Sequence, residues 1–299
     1  MDTHNLRAFL LVAETGSFSL AAQKLHLTQP AVSKRVALLE EQLDTQLFDR
    51  IGRHVSVTEA GAALLPHARA VQQGLLAAEQ SVRDLAGEVG GRLKLATSHH
   101  IGLHRLPPVL SHFSSHYPKV HIDIDFMDSE QAYELTLRGE VELAVVTLAP
   151  EELPHIVAQE VWPDPLDFMV QAGHPLTQQA QLEITALSDV PAVLPGLNTY
   201  TGQIVKRLFE QRGVPLTVSM ATNYLETIRM MASVGLGWTI LPRSMADATL
   251  ATLPISATHL QRSLGVIHHE GRSLSRAARA FMQTLARFGD SDNGLNSER

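Results

Sequence analysis

Gln29, Ser33, Lys34 and Arg35 fall on one face of a helical pattern, with Thr28 and Pro30 at its start. An amide, a hydroxyl and two cations spaced in this way are suited to reading base edges and holding phosphates when the start of a helix enters a major groove. The chemistry they indicate is binding to double-stranded DNA. The stretch around them, GSFSLAAQKLHLTQPAVSKRVALLEEQL from Gly16 to Leu43, reads as two helices joined at His26 and Leu27. Ser19 is placed to cap the first helix, whose apolar side carries Leu20, Ala21, Ala22 and Leu25. Thr28 is the N-cap of the second, Pro30 sits in its opening turn, and Val32, Val36, Leu39 and Leu43 form the stripe expected to be buried.

Net charge does not identify this segment. From Met1 to Ala60, six basic residues (Arg7, Lys24, Lys34, Arg35, Arg50, Arg53) stand against seven acidic ones. Position is more telling: from Thr15 to Leu39 there are three cations and no carboxylate, so the face is locally positive. Phe48 to Thr58 alternates as a two-stranded wing would, and Arg50 and Arg53 are placed to reach backbone or minor groove.

These residues resemble the LysR-type transcriptional regulators. The resemblance is carried by Phe9 through Gly16-Ser17-Phe18, Ala21-Ala22 with Leu25, Thr28-Gln29-Pro30-Ala31-Val32-Ser33, Leu39-Glu40 with Leu43, Leu47-Phe48-Arg50, and Thr58-Glu59-Ala60-Gly61. It extends more loosely over nearly all 299 residues. Two departures stand out. The wing carries one fewer basic residue than many relatives, and the segment after Leu194 reads Pro-Gly-Leu-Asn-Thr-Tyr-Thr-Gly where the family often has small polar residues and Arg.

The expected architecture is an N-terminal winged helix-turn-helix (1–58), a long linker and dimerisation helix with a hinge (59–89), and an α/β two-lobed, periplasmic-binding-protein-like effector domain (90–290). Its first lobe is expected over about 90–163 and 267–290 and its second over 164–266, with 291–299 as a flexible tail. Leu64, Ala68, Val71, Leu75, Ala78, Val82 and Leu85 repeat at intervals of 4 and 3, a heptad seam that predicts pairing with a second copy. Pro66 is expected to bend that helix, and Gly87 with Gly90-Gly91 to end it.

Beyond the hinge, strand patterns at Arg92–Thr97, Val120–Phe126, Val141–Thr147, Phe168–Val170, Pro191–Leu194, Val218–Ala221, Trp238–Leu241 and Leu264–His268 alternate with helical ones. Phe168–Val170 and Leu264–His268 are the candidate crossovers, and the helix from Leu274 to Phe288 should fold back on the first lobe. In such folds ligands sit beyond the carboxyl ends of the strands, near helix N-termini. The effector candidates are therefore Ser98, His99, His100, Ser129, Thr147, Asn198, Thr199, Tyr200 and Asn223, with Asp128, Thr201 and Thr222 nearby. The resemblance itself places effector contacts on Ser98, His100, Thr147 and Thr199, and less securely on Tyr200 and Asn223.

The chain has no cysteine, so disulfides and thiol-based sensing are excluded. Neither a metal nor a cofactor is expected: His99, His100 and His104, or His268 and His269, form no HExxH arrangement. Neither a GxSxG elbow nor a glycine-rich phosphate loop occurs, so an enzyme is not expected. A net charge of −7, with no long apolar run and no N-terminal leader pattern, fits a cytoplasmic protein with one localised DNA-facing surface. The expected partners are double-stranded DNA, a small polar effector such as an organic anion, a second copy in a homodimer and further copies in a homotetramer, and RNA polymerase, with no membrane. A constitutive architectural DNA-binding protein with a non-sensing dimerisation body is the alternative, and a ligand-binding enzyme domain on a DNA anchor a third reading.

Overall fold

The computed structural model describes residues 1–51, 54–84, 88–256 and 259–295. The chain divides into two compact units, Met1–Gly87 and Glu88–Arg299.

The first unit is a winged helix-turn-helix. Helices α1 (Thr3–Thr15), α2 (Phe18–Leu25) and α3 (Gln29–Leu43) are followed by strands β1 (Phe48–Ile51) and β2 (His54–Val57), then by α4 (Glu59–Asp84). The core joins Phe9, Val12, Phe18, Ala21, Val32, Val36, Leu39 and Phe48. Two local expectations are corrected. Ser17, not Ser19, caps α2, accepting the Leu20 N–H at 3.3 Å; the helix therefore starts earlier, Phe18 takes the buried position and Leu20 faces outward. Leu43, at the end of the α3 stripe, is also exposed. The wing pairs antiparallel from Phe48↔Val57 to Ile51↔His54. Glu40 ties it to α3 by accepting the Leu47 and Phe48 N–H groups at 2.9 and 3.4 Å.

The linker helix α4 is part of this unit rather than a segment apart from it. Ala68 is 1% exposed inside the winged-helix core, and Leu64 packs against the same core. Both were expected in the dimer seam, but Ala68 is enclosed within its own domain and Leu64 is partly buried against the same core. The outward stripe consists of Val71, Leu75 and Ala78. Val82 lies in α4 with its side chain outside the described residues, and Leu85 and Gly87 lie outside them altogether. α4 continues through Pro66, whose ring removes one backbone donor without ending the helix.

The second unit alternates strands and helices: β3 (Gly91–Thr97), α5 (His99–His104), α6 (Leu106–His116), β4 (Val120–Phe126), α7 (Ser129–Leu137), β5 (Leu143–Thr147), β6 (Ile156–Gln171), β7 (Ala192–Leu194), α8 (Tyr200–Arg212), β8 (Val218–Ala221), α9 (Leu225–Ser233), β9 (Thr239–Pro242), β10 (Leu250–Thr252), β11 (Leu260–His269) and α10 (Arg276–Leu295). β4, β3 and β5 run parallel, as right-handed β-α-β connections require. β11 pairs antiparallel with β5 and β6, and β6 also with β9 and β10.

β6 and β11 are long enough to serve two cores. Val161, Trp162, Leu264 and Val266 pack in the first with Leu93, Leu95, Phe113 and Phe281. Leu166, Phe168 and Leu260 pack in the second with Phe209 and Trp238. Two lobes thus share two strands, and the return crossing lies at Arg262, ahead of the expected boundary after residue 266. α10 packs on the first lobe as expected, through Ala277, Ala278, Phe281 and Leu285. It continues to Leu295, so the expected tail over 291–299 is helical through its first part, and residues 296–299 lie outside the described ones.

At the crossing, Asp164 pairs in register with Arg262. Both side chains are buried, and Arg262 Nε donates to Asp164 Oδ2 at 2.8 Å. Breaking one side of a buried ion pair leaves an uncompensated charge and costs about 3 to 5 kcal/mol. Asp164→Ala is accordingly expected to lower unfolding free energy by about that amount, measured by urea denaturation; a loss below about 1 kcal/mol, the scale of an exposed pair, would show that the crossing does not depend on it.

Candidate functional site

In the first unit, α3 presents Thr28, Gln29, Pro30 and Lys34 to solvent, with Ser33 and Arg35 half-buried beside them. Thr28 is the N-cap residue, yet its hydroxyl makes no capping bond. Gln29 Nε2 donates to Ser33 Oγ at 3.2 Å, which holds the two side chains one turn apart on the same face. Lys24 is paired with Glu14 at 2.7 Å, so the local cations on this face reduce to Lys34 and Arg35. Arg50 lies in β1 with its side chain outside the described residues, and Arg53 lies outside them.

In the second unit, a cleft opens between the lobes. Ser98, His99, His100, Asp128, Ser129, Glu130 and Thr147 line it from the first lobe, and Pro195, Thr199, Tyr200, Thr201, Asn223 and Leu225 from the second, with Arg262 at the crossing. Every expected effector residue except Asn198 is brought together here. Asn198 borders a separate depression with Gln203, Lys206 and Arg207.

The hydroxyls play different parts. Thr199 Oγ1 donates to Gly196 O at 2.7 Å and accepts the Gly202 N–H at 3.1 Å, so it caps α8 and is fully engaged. That cap depends on close packing of backbone, because a Cβ on Gly202 would lie 2.1 Å from Gly196 O. Ser129 Oγ accepts the Thr147 N–H at 3.1 Å. Ser98 is the N-cap residue of α5 but its hydroxyl makes no cap bond.

Several contacts bridge the lobes. Asn223 Nδ2 donates to Asp128 Oδ2 at 2.7 Å while its Oδ1 accepts the Gly196 N–H at 3.1 Å. Glu130 Oε1 accepts the Tyr200 N–H at 2.5 Å, placing a carboxylate at the start of α8. The Tyr133 and Tyr200 rings meet edge to face at 5.5 Å. Burial, then Tyr133 and Glu130, push the Tyr200 phenol up to about 12, so it remains a donor.

Sequence reasoning missed the central residue. Arg262 Nε binds Asp164, and its Nη1 donates to Thr201 Oγ1 at 2.9 Å, but its buried Nη2 has no partner. His100 is 4% exposed and neither ring nitrogen has a hydrogen-bond partner; Glu226 Oε1, 3.7 Å from its Nδ1, is too distant for one. Nothing local marked it, because Arg262 lies between Gln261 and Ser263 in the polar first half of its strand. Buried polar atoms are almost always hydrogen-bonded, so orphans from two residues in one polar cleft mark a binding surface.

Burial first, then the nearby Arg262 charge, hold His100 down at about 4; Asp164 and Glu226 pull it upward and His104 adds to the lowering. An unfolded histidine titrates near 6.5, so between the two values the unfolded chain binds a proton that the native chain refuses. Stability from this residue is therefore full above about pH 6.5 and falls as pH drops toward 4, by up to about 3 kcal/mol. Thermal melts over that window should show a steeper decline for the parent than for His100→Gln. Parallel curves would refute a neutral buried His100.

Comparison with known proteins agrees with both units. Residues 3–62 match the family described as bacterial regulatory helix-turn-helix protein, lysR family, and residues 86–289 match the LysR substrate binding domain. A RuBisCO operon transcriptional regulator of Acidithiobacillus ferrooxidans is 32% identical over 297 residues, covering 97% of this chain and 96% of that one. A full-length OxyR from Pseudomonas aeruginosa superposes with a TM-score of 0.71 at 23% identity, covering 96% of this chain and 98% of that one. The effector binding domain of QuiR in complex with shikimate superposes with a TM-score of 0.61 at 17% identity, covering 68% and 98%. No helix among the described residues is long and apolar enough to cross a membrane. The chain belongs to the LysR family of DNA-binding transcriptional regulators, with an effector-binding domain behind its winged helix-turn-helix.

Proposed function

We propose that a small organic anion occupies the interlobe cleft and changes how the protein engages its operator. The observation that carries this reading is the buried, unpartnered Nη2 of Arg262, in a cleft that Ser98 and His100 also line. Arginine is the side chain best matched to a carboxylate or phosphate. The start of α7 borders the same space, whereas that of α8 is already taken by Thr199 and the Glu130 carboxylate. Asp128 and Glu130 limit the ligand to one with hydroxyl or amino groups facing them, a description that the shikimate held by QuiR also meets. Thr199, Ser129 and Asn223 shape the cleft, because their polar atoms are engaged within the protein. No catalytic role is assigned to any of these residues, and a regulator of this kind works in the cytoplasm, on DNA and with RNA polymerase.

A thermal-shift panel of small hydroxy and amino carboxylates is expected to yield a compound that raises the melting temperature, since binding to the folded state alone stabilises it. Ser98→Ala, at a hydroxyl that does no capping, should weaken that compound by about tenfold or more. Unchanged affinity would place the ligand elsewhere.

On DNA, Gln29 and Ser33 face base edges while Lys34 and Arg35 hold phosphates. Gln29→Ala should relax preference at one base pair, whereas Arg35→Ala should weaken all duplexes and reduce the salt slope by about one. Equal losses for Gln29→Ala on specific and random duplexes would overturn the assignment.

Two copies pair through the exposed stripe of α4, where Leu75 is 46% exposed between Val71 and Ala78; a homotetramer is built from two such pairs. Leu75→Glu places a carboxylate in that seam and should give monomers in light scattering. A variant that retains the parent's mass would exclude this seam.

A further inference from the structure

His100 and His104 are one helical turn apart on α5, so their imidazoles leave the same face, with ring centroids 4.8 Å apart. Opposite them, at the start of α9 in the second lobe, stands Glu226. Its Oε1 lies 2.7 Å from His104 Nε2 and 3.7 Å from His100 Nδ1. One ligand atom from each of the three residues falls within 4.8 Å of the other two.

Around a tetrahedral ion with bonds of about 2.0 to 2.2 Å, neighbouring ligand atoms are roughly 3.3 to 3.6 Å apart. The two distances to Glu226 bracket that spacing, and side-chain torsions alone can close the difference. A second, independent observation points to the same place: His100 is buried with both ring nitrogens unpartnered. A histidine in a core normally satisfies at least one of them.

We propose that His100, His104 and Glu226 bind a transition-metal ion of the zinc class and thereby clamp the two lobes together. Two imidazoles and a carboxylate are a donor set for zinc, cobalt or nickel, whereas magnesium and calcium prefer oxygen ligands throughout. With three protein ligands, the fourth position stays open to water or to a ligand of the cleft. The other close histidine pairs, His112 with His116 and His155 with His269, belong to no such three-residue group among the described residues. The ion ties α5 of the first lobe to α9 of the second, so its effect is mechanical as well as local. This site does not depend on the anion reading, since His100 has a second nitrogen and the Ser98 hydroxyl is not a ligand.

The test uses the untagged full-length protein, stripped with a chelator and titrated calorimetrically with zinc chloride. Cobalt chloride is added in parallel, because a tetrahedral cobalt site absorbs in the visible range. The expected result is one ion per chain, a raised melting temperature that the chelator reverses, and visible cobalt bands. His104→Ala, at a half-exposed position that does not support the core, should weaken zinc by about tenfold or more, as should Glu226→Gln. His112→Ala and Ser98→Ala should bind zinc like the parent. No zinc binding by the parent, or parental affinity in both His104→Ala and Glu226→Gln, overturns the proposal. Loss of carboxylate response in Ser98→Ala with zinc binding intact would separate the two sites.

Discussion

The buried pair between Asp164 and Arg262 sets the geometry of the second unit. β6 and β11 each contribute to two cores, and the charges face one another where both strands leave one core for the other. Removing two charges from water is expensive and is recovered only when geometry and further hydrogen bonds are good. Thr201 at the start of α8 and Arg105 after α5 supply those bonds, one from each lobe. The network therefore fixes the strand register, the position of α8 and the floor of the cleft together. Its one remaining donor faces the place where a ligand would complete it.

The surfaces proposed for recognition in the two units share one arrangement. Thr28 and Ser98 stand at N-cap positions without capping, His100 is buried with both ring nitrogens unpartnered, and Arg262, though bound to Asp164 and Thr201, keeps a buried Nη2 without a partner. Neighbouring residues do the opposite. Thr199, Ser129 and Glu40 are committed to backbone N–H groups, and they hold the frame in which the uncommitted groups are presented. Committed and uncommitted polar groups are thus divided between side chains a few positions apart, with Arg262 taking both parts.

This division explains what could be read from the chain. The helix-turn-helix was legible because its signals are local: a 3.6-residue apolar stripe, a capping residue and a proline in the first turn. Its error, Ser19 for Ser17, arose because both serines precede alanine-rich helix and only the packing of Phe18 decides between them. Strands β4 and β8 matched the expected limits, whereas β6 was seen only near Phe168, since Pro163 and Pro165 flank Asp164 and prolines read as strand breakers. The ladder nevertheless runs in register through both, Pro165 opposite Gln261 and Pro163 opposite Ser263, and shifts only beyond them, between Leu264 and Gly265. Arg262 and Glu226 were invisible as site residues because their partners, Asp164 and His104, lie far away in the chain and only the two-lobed topology joins them.

The packing of Leu64 and the burial of Ala68 in the winged-helix core turn α4 into a rigid arm. A helix rises about 1.5 Å per residue, so the part of α4 beyond Ala68 carries the chain roughly 24 Å from the core that holds α3. With its base embedded, the arm cannot swivel independently of the recognition helix. A tilt of about 8° corresponds to a displacement of about 3 Å over that length, comparable with the roughly 3.4 Å rise of a single base pair. In the paired arrangement proposed above, small angular changes between two such arms would become base-pair-scale changes in the spacing that the recognition helices span, without any change inside the DNA-binding domain.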